Sequence, residues 1–418
     1  MRIPLSRPDI GEREIELVTR ALRSGQLTLG PCLTEFEEKF AAYAGRRYAV
    51  STNSGTSALH LGAKALGIGP QDDVLTSAFS FVASANCILY EHGSPIFVDI
   101  DPATLNLDPQ AIQRTIARDY AWDSRRCQLI NRRSGHMLKA ILPVHVFGVP
   151  CEMAPILEAA REYGLRVLED ACEALGAEYR GRRVGTFGDA AVFAFYPNKQ
   201  MTCAEGGMLV TDDSQIAGLC RSLRNQGRDE DSSWLRHIHL GYNYRLSDLH
   251  CALGLAQLER VEELLAARER VAVAYSRGLS AIRHIKVPRA FPDTKRSWFV
   301  YVVQLLGKLG KSRRDSLIAG LRERGIACQA YFPAIHLQPF FQDQDTAQRS
   351  SLPCTESAAE RCLALPFFST MTEEQVAEVC AAIREILEES AVHTNIVEEP
   401  SREAARVADS TETGNALR

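Results

Sequence analysis

Short runs of apolar, often β-branched residues alternate with helix-length segments through the first 250 residues. The runs are YAV (ending before Ser51), DVLTS, PIFVDI, KAILPVHVFG, RVLEDA, AAVFAF and GGMLVT, and the segments between them include SALHLGAKALG and MAPILEAAREYG. This alternation predicts a largely parallel sheet with helices on both faces. Ligands of such sheets bind beyond the carboxyl ends of the strands. We therefore expect the chemistry to lie in the loops that follow these runs.

The pattern changes from Ser247 onward. SDLHCALGLAQLERVEELLAARERVAVAYSRGL predicts one long helix that leaves the large domain. A smaller α/β domain follows, with the strand WFVYVVQLL and the helices RRDSLIAGLRERG and TEEQVAEVCAAIREILEES. We expect a large domain over 1–250, a small C-terminal domain over 251–390 and a disordered polar tail over 391–418. The arginine-rich segment 118–139 predicts a surface insertion before the strand KAILPV.

Composition excludes several kinds of partner. The net charge of −4 on 418 residues favours neither a nucleic-acid groove nor an anionic membrane surface. No run approaches the roughly 18 apolar residues that a membrane span needs, and the N-terminus lacks the pattern of a secretory signal. The 12 cysteines are spread singly, without zinc spacing, so we expect reduced thiols in the cytoplasm and no metal site.

Two turns at the ends of predicted strands could contact a ligand. In STNSGTSALHLG a strand ends and a helix begins, so Ser54, Gly55 and Thr56 can hold a phosphate at the helix N-terminus. The alternative is an ordinary N-cap. In VLEDACEALGAE, Asp170 directly follows an apolar run and can pair with a protonated ring nitrogen. The alternative is an aspartate that caps the next helix.

Two further motifs complete the pattern. In VFAFYPNKQMTCAEGGMLVT, Lys199 lies in a turn between two strands, where a shielded lysine can form a Schiff base, or it is a solvated loop lysine. In GYNYRLSDLH, Asn243 and Arg245 can bind oxyanions, or the segment is only a helix entry capped by Ser247 or Asp248. A phosphate turn, a strand-end aspartate and then a lysine, in this order on a parallel sheet, indicate a pyridoxal-phosphate site.

These motifs resemble the DegT/DnrJ/EryC1/StrS aminotransferase family from about Ile3 to Leu387. The resemblance is carried by LRSGQLTLGPCLTEFEEKFAAYAG, VSTNSGTSALHLGAKALGIGP, VLEDACEALGAEYRGRRVGTFGD, FAFYPNKQMTCAEGG and GYNYRLSDLHCALGLAQL, among others. It implies a fold-type-I enzyme that uses pyridoxal 5'-phosphate. The implied reaction moves an amino group, with L-glutamate as the expected donor, onto the keto-sugar of a nucleotide-linked sugar.

The resemblance also implies a role for each site residue. Lys199 matches the lysine that bonds covalently to the cofactor, and Asp170 matches the partner of the pyridine nitrogen. Phe81 matches the aromatic residue that stacks on the cofactor ring, while Gly55 and Thr56 match the backbone cradle of the phosphate.

Further implied roles concern the substrate and the assembly. Asn243 matches an asparagine that reaches the cofactor phosphate of a neighbouring subunit, which implies a homodimer with shared sites. Tyr331 and His336 fall in the segment that borders the sugar pocket.

Three positions depart from the family pattern. Ala194 stands where a serine phosphate ligand is common, and Tyr196 stands where histidine is common. Glu173 stands where glutamine or histidine usually lies near the phenolic oxygen of the cofactor. A carboxylate facing a phenolate is repulsive unless one of the two is protonated.

Two alternative functions follow from the same resemblance. Some family members are sugar dehydratases in which histidine replaces the lysine, so Lys199 favours transamination. A regulatory or binding protein would keep the fold without turnover. The pair Lys199 and Asp170 argues against that alternative, because a binding module has no chemical use for it.

Overall fold

The computed structural model describes residues 2–229, 236–307, 310–342 and 351–393. Helices in these ranges are α1 (Glu12–Ser24), α2 (Pro31–Ala44), α3 (Gly55–Ala65), α4 (Ala83–Tyr90), α5 (Pro109–Asp119), α6 (Met153–Tyr163), α7 (Ser214–Arg224), α8 (Asp248–Glu259), α9 (Val261–Leu279), α10 (Gly310–Glu323), α11 (Pro339–Gln342), α12 (Pro353–Arg361) and α13 (Glu373–His393). Strands are β1 (Tyr48–Thr52), β2 (Asp72–Ser77), β3 (Ser94–Val98), β4 (Tyr120–Asp123), β5 (Gln128–Asn131), β6 (Met137–Leu142), β7 (Arg166–Asp170), β8 (Glu178–Tyr179), β9 (Arg182–Arg183), β10 (Ala190–Ala194), β11 (Gly207–Thr211), β12 (Ile285–Lys286), β13 (Thr294–Lys295), β14 (Tyr301–Leu305), β15 (Gln329–Ala330) and β16 (Cys362–Leu365).

The central sheet has the strand order β1-β11-β10-β7-β6-β2-β3. Its neighbours from β10 to β3 are parallel, whereas β11 is antiparallel to both β1 and β10. Adjacent residues of one strand face opposite cores, as Val167 and Leu168 of β7 do. All seven apolar runs form strands, and the predicted, largely parallel sheet is confirmed. The carboxyl ends of its parallel strands therefore meet at one edge.

A second, antiparallel sheet has the order β12-β14-β16-β15. Its core includes Tyr275 of α9, Leu317 of α10 and Ile383 of α13. The predicted strand in WFVYVVQLL is β14, and the two helices predicted around it are α10 and α13.

The long helix predicted after Ser247 is interrupted at Arg260, whose φ of −121° is not helical. The Arg260 guanidinium donates to Asp9 at 2.7 Å and to Glu14 at 2.9 Å. Helix α8 packs on α1 and α2, whereas α9 packs on α13. The prediction of one continuous helix is wrong because its two halves pack on different cores.

The predicted insertion at 118–139 forms a hairpin of β4 and β5, which extends the sheet from β6. Buried Tyr120 and Asn131 both donate to Asp73 at 2.8 Å, while Arg125 and Arg126 at its tip are exposed. Of the predicted tail, 391–393 end α13 and 394–418 lie outside the described residues. No helix in the described ranges is long and apolar enough to cross a membrane.

Candidate active site

The ends of three strands meet where the motifs predicted a site. Gly207, the first residue of β11, pairs with Thr52 at the end of β1 and with Ala194 at the end of β10. Asp170 ends β7, the next strand in the sheet. The turn before α3, the 170–173 segment and the lysine loop after β10 therefore share one edge of the sheet.

The turn before α3 forms a cradle of backbone N–H groups. Ser54 caps the helix by accepting a hydrogen bond from the Ser57 N–H at 3.1 Å, so the N-cap interpretation holds for Ser54. Gly55 and Thr56 open the helix, and their N–H groups have no acceptor within it. A Cβ on Gly55 would lie 2.7 Å from the Ala194 Cβ, so only glycine fits this close approach. Helix capping and phosphate binding are therefore compatible at this turn, because Ser54 caps the helix while the N–H groups of Gly55 and Thr56 remain available.

Asp170 is 5% exposed and lies at this edge of the sheet. Its carboxylate accepts hydrogen bonds from the Ser84 hydroxyl at 2.6 Å and from the Cys172 N–H at 3.1 Å. No helix begins in 171–177, so the alternative of a helix cap is wrong. Ser84, which the sequence analysis missed, is held in turn by Ser80 at 2.9 Å. Phe81 lies between these serines, and its ring is 60% exposed.

Lys199 is shielded, unlike a solvated loop lysine, because its side chain is only 13% exposed. Its Nζ lies 3.8 Å from the nearer carboxyl oxygen of Glu173 and 3.9 Å from the centroid of the Phe299 ring. The amine is therefore held between a carboxyl group and an aromatic face.

Glu173 has a strongly perturbed acidity. Burial raises the pKa of Glu173 to about 7, an effect that the Lys199 charge and the Phe147 N–H (2.8 Å from the carboxyl) oppose and the Asp170 charge reinforces. Near neutral pH a large fraction of this carboxyl carries a proton and can donate a hydrogen bond. Glu173 can thus face a phenolate oxygen without the repulsion expected from its charge.

Replacing Glu173 with glutamine should remove a pH dependence of stability. The folded-state pKa is raised, so stability from this group is complete below its unfolded value near 4.5 and is lost as pH rises through about 7. The loss at pH 8 is at most roughly 3 kcal/mol. We expect urea unfolding at pH 5 and pH 8 to show that Glu173→Gln gains stability relative to the wild type as pH rises. Glu178→Gln, in which the replaced carboxyl is half-buried and lies 3.3 Å from the Lys295 amine, is the control, and parallel profiles for wild type and Glu173→Gln would contradict the prediction.

Asn243 is exposed, with its side chain directed away from its own subunit's core. Its neighbours Tyr242 and Tyr244 stack at 4.8 Å and pack against His60 of α3. Since adjacent residues of this extended segment face opposite ways, Asn243 is left free to meet another molecule. Ser247 caps α8, as one interpretation predicted.

Asp248 does not cap its own helix. Its carboxylate accepts hydrogen bonds from the N–H groups of Gly30, Cys32 and Leu33 at 3.0–3.3 Å and so caps α2. Arg245 donates to the Asn225 side chain at 3.0 Å, which leaves Asn243 as the exposed polar residue of the pair predicted to bind oxyanions.

The two predicted substrate-side residues have different surroundings. Tyr331 stacks on Phe332 at 4.5 Å, and its ring lies 6.4 Å from that of Phe299, which contacts the Lys199 amine. Burial and the Glu173 charge both raise the pKa of the Tyr331 phenol. His336 lies against Glu356 at 3.3 Å, and its side chain is 8% exposed. A groove of about 690 Å³ is lined by Phe81 and Tyr90 and by residues on either side of His336 in the sequence, but not by His336 itself. These flanking residues include Phe332, Pro333, Ile335, Gln338, Phe340 and Phe341.

Arg268 is the other residue that the sequence analysis missed. It is 3% exposed and donates to the carbonyls of Lys199, Phe299 and Asn198. A signal was present in the sequence, since Arg268 lies at helical spacing among the apolar residues Leu264 and Val271.

These residues fit pyridoxal phosphate. The cradle at Gly55 and Thr56 suits a phosphate, Asp170 suits a protonated ring nitrogen, exposed Phe81 offers a face for the ring, and shielded Lys199 suits covalent attachment. On a sheet of this order they define a pyridoxal-phosphate-dependent enzyme of fold type I.

The chain belongs to the DegT/DnrJ/EryC1/StrS aminotransferase family, whose model matches residues 8–384. It is 37% identical to GDP-perosamine synthase from Caulobacter vibrioides over 388 residues, covering 92% of this chain and 98% of that protein. Among solved structures, it resembles the Helicobacter pylori PseC, an aminotransferase involved in the biosynthesis of pseudoaminic acid, with TM-score 0.84 and 27% identity over 93% of this chain and 99% of that one. It also resembles DesI in the presence of its TDP-sugar product, with TM-score 0.81 and 30% identity over 94% and 95% of the two chains.

Proposed function

We propose that this aminotransferase moves an amino group from L-glutamate to the keto-sugar of a nucleotide-diphosphate sugar. The observation that carries the proposal is the shielded amine of Lys199 on the same sheet edge as Asp170 and the open N–H groups of Gly55 and Thr56. The similarity to GDP-perosamine synthase and to DesI, whose structure was determined in the presence of its TDP-sugar product, supports a nucleotide-linked sugar as substrate.

Each residue has a separate task in this reaction. Bound pyridoxal phosphate supplies a ring that takes up electrons when a proton leaves the carbon next to the substrate amine. Lys199 anchors the cofactor and then, as a free amine, carries that proton. Asp170 would keep the ring nitrogen protonated, and Phe81 would offer a face for the ring. Glu173, when protonated, donates to the phenolic oxygen.

The phosphate is held by Gly55 and Thr56 of one subunit and by Asn243 of its partner in the proposed homodimer. Exposed apolar side chains adjoin the Asn243 segment and support such an interface: Leu27, Leu29, Ile238 and Leu240. Backbone bonds connect them to this segment: the Asp248 N–H donates to the Leu27 carbonyl, and Ile238 donates to Gly227, whose neighbour Gln226 donates to the Tyr242 carbonyl. Burial of these side chains against a second copy would stabilise the dimer.

The substrate would enter through the groove beside Phe81, whose aromatic lining suits a planar base. Tyr331 would border the sugar next to Glu173. His336 does not line the groove, and its contact with Glu356 would stabilise the segment that does. We place the enzyme in the cytoplasm, which its 12 free cysteines favour.

Incubation with nucleotide-linked keto-sugars should identify the substrate. The purified protein with pyridoxal phosphate and L-glutamate is offered a panel of keto-sugars that vary in nucleotide and in keto position. We expect mass spectrometry to show conversion of one class to the amino-sugar, and Lys199→Ala to show none. Loss of a hydroxyl group in place of amine gain would identify a dehydratase, and no conversion of any panel member together with no cofactor on Lys199 would overturn the proposal.

A further inference from the structure

Arg268 of α9 is a buried cation held by main-chain carbonyls. Its guanidinium donates to the Lys199 carbonyl at 2.6 Å, to the Phe299 carbonyl at 3.1 Å and to the Asn198 carbonyl at 3.4 Å. Among the described residues no carboxylate lies within ion-pair distance of it. Burial lowers the pKa of Arg268 to about 10, with the charge of Asp9 opposing the effect.

A buried guanidinium without a paired carboxylate is costly, because it gives up its hydration for neutral acceptors. Each acceptor here is a backbone oxygen of the lysine loop or of the segment that leads into β14. Those two segments are far apart in the chain, and Arg268 joins them through one planar fork of donors.

One of the joined segments carries Lys199, and the other carries the Phe299 ring that contacts its amine. Phe299, whose carbonyl Arg268 holds, presents its ring 3.9 Å from the Nζ of Lys199, whose carbonyl Arg268 also holds. The same amine lies 3.8 Å from the nearer carboxyl oxygen of Glu173. One side chain, Arg268, therefore bonds both main-chain segments that carry the amine and its aromatic face.

We propose that Arg268 is a positioning residue, which fixes the Lys199 amine between the Phe299 ring and Glu173 by bonding the main chain of both Lys199 and Phe299. The inference rests on the proposed role of Lys199 as the covalent anchor. Because α9 also packs on α13, the same contacts connect the lysine to the core of the second sheet.

The first test is made on the cofactor-free full chain. Lysines are trace-labelled with acetic anhydride, and the labelling of Lys199 is measured by mass spectrometry relative to exposed Lys39 in the same molecule. Arg268→Met keeps the apolar length of the side chain and removes the donors, so the amine should lose its shield and label severalfold faster. The rate at which added pyridoxal phosphate attaches to Lys199, followed by absorbance, should fall about 10- to 100-fold.

Arg314→Met is the control. Arg314 is also buried and donates to a backbone carbonyl, that of Ala359 at 2.5 Å, but unlike Arg268 it also pairs with Asp315 at 2.8 Å, and it lies on α10, which packs on α12 and α13. This variant should be less stable to urea yet keep wild-type labelling and attachment rates. A purely structural role for Arg268 predicts the same outcome for both variants.

Arg268→Lys tests whether the charge of Arg268 or the geometry of its donors positions the amine. It also replaces Arg268→Met in the test if that variant does not fold. An ammonium group retains the charge but lacks the planar fork, so we expect it to behave like Arg268→Met. Wild-type labelling and attachment in Arg268→Lys, or in a folded Arg268→Met, would overturn the inference. Absence of attachment in the wild type would instead refute the proposed function, and the labelling experiment would still report on Arg268.

Discussion

Replacement of Asp170 with alanine should reduce turnover about a thousandfold or more, which corresponds to roughly 4 kcal/mol of activation free energy. The reason is electrostatic. The carboxylate is 5% exposed, and in this low-dielectric position it would hold the proton on the ring nitrogen of the cofactor. Without that proton the ring takes up electrons poorly. Stopped-flow absorbance of the reaction with L-glutamate measures the loss in the first half-reaction, independently of the sugar substrate.

Two further variants test the cause of this effect. Asp170→Asn retains the size of the side chain but not its charge, so it should resemble Asp170→Ala in rate and the wild type in melting temperature. Ser84→Ala removes one donor to the carboxylate and should lower the rate only modestly, about tenfold.

Asp99 is the matched control. It follows β3 much as Asp170 ends β7, but its carboxylate accepts hydrogen bonds from the Thr355 N–H and hydroxyl and from the Cys354 N–H. Asp99→Ala should therefore lose stability while the cofactor keeps its spectrum. Near-normal turnover in Asp170→Ala would show that another group holds the ring nitrogen.

The sequence predicts the sheet and most of the site because both depend on local pattern. The run AAVFAF is apolar throughout, RVLEDA has apolar Val167 and Leu168 facing the two cores, and the order of the phosphate turn, Asp170 and Lys199 can be read along the chain. Residues at strand ends then share one edge as a consequence of parallel pairing.

What the sequence does not predict depends on distant partners. The sequence suggests Asp248 as a cap for its own helix, but its carboxylate caps α2, which begins more than two hundred residues earlier. Arg260 reads as one more residue of a long helix, but its contacts to Asp9 and Glu14 accompany the break between α8 and α9. In the sequence, Arg268 interrupts the apolar face of a helix. Only the folded chain shows the carbonyl oxygens to which its guanidinium donates.

Glu173 lies between these cases. The family resemblance implies that Glu173 faces the cofactor's phenolic oxygen, and elementary electrostatics then predicts a repulsion between the two charges. The resolution depends on burial, which raises the pKa of Glu173 to about 7 and is set by the surrounding tertiary structure.

Equal mixing of Asn243→Ala with Lys199→Ala subunits should restore about a quarter of the wild-type activity, although each variant alone is nearly inactive at limiting cofactor. In the proposed homodimer Asn243 donates to the phosphate in its partner's site. A charge-assisted hydrogen bond of this kind contributes roughly 1.5–3 kcal/mol, so its loss should weaken cofactor retention about ten- to a hundredfold. The side chain of Asn243 is exposed between half-buried Tyr242 and Tyr244, as this sharing requires.

The expected recovery follows from counting sites. Random reassociation makes about half of the dimers heterodimers, and in each of these one site carries both lesions while the other is intact. Intact sites are then about a quarter of the total. Subunits are mixed in mild denaturant, refolded together and assayed with a fixed low concentration of pyridoxal phosphate.

The control mixture combines Asp170→Ala with Lys199→Ala. Both residues belong to the same subunit's site, so each site of that heterodimer carries one lesion and no activity should return. If Asn243 served only its own subunit, the Asn243→Ala mixture would behave like this control, and Asn243→Ala alone would lose stability with unchanged cofactor affinity. A protein that sediments as a monomer at assay concentration would also contradict shared sites, because a phosphate ligand supplied by a partner requires that the partner be present.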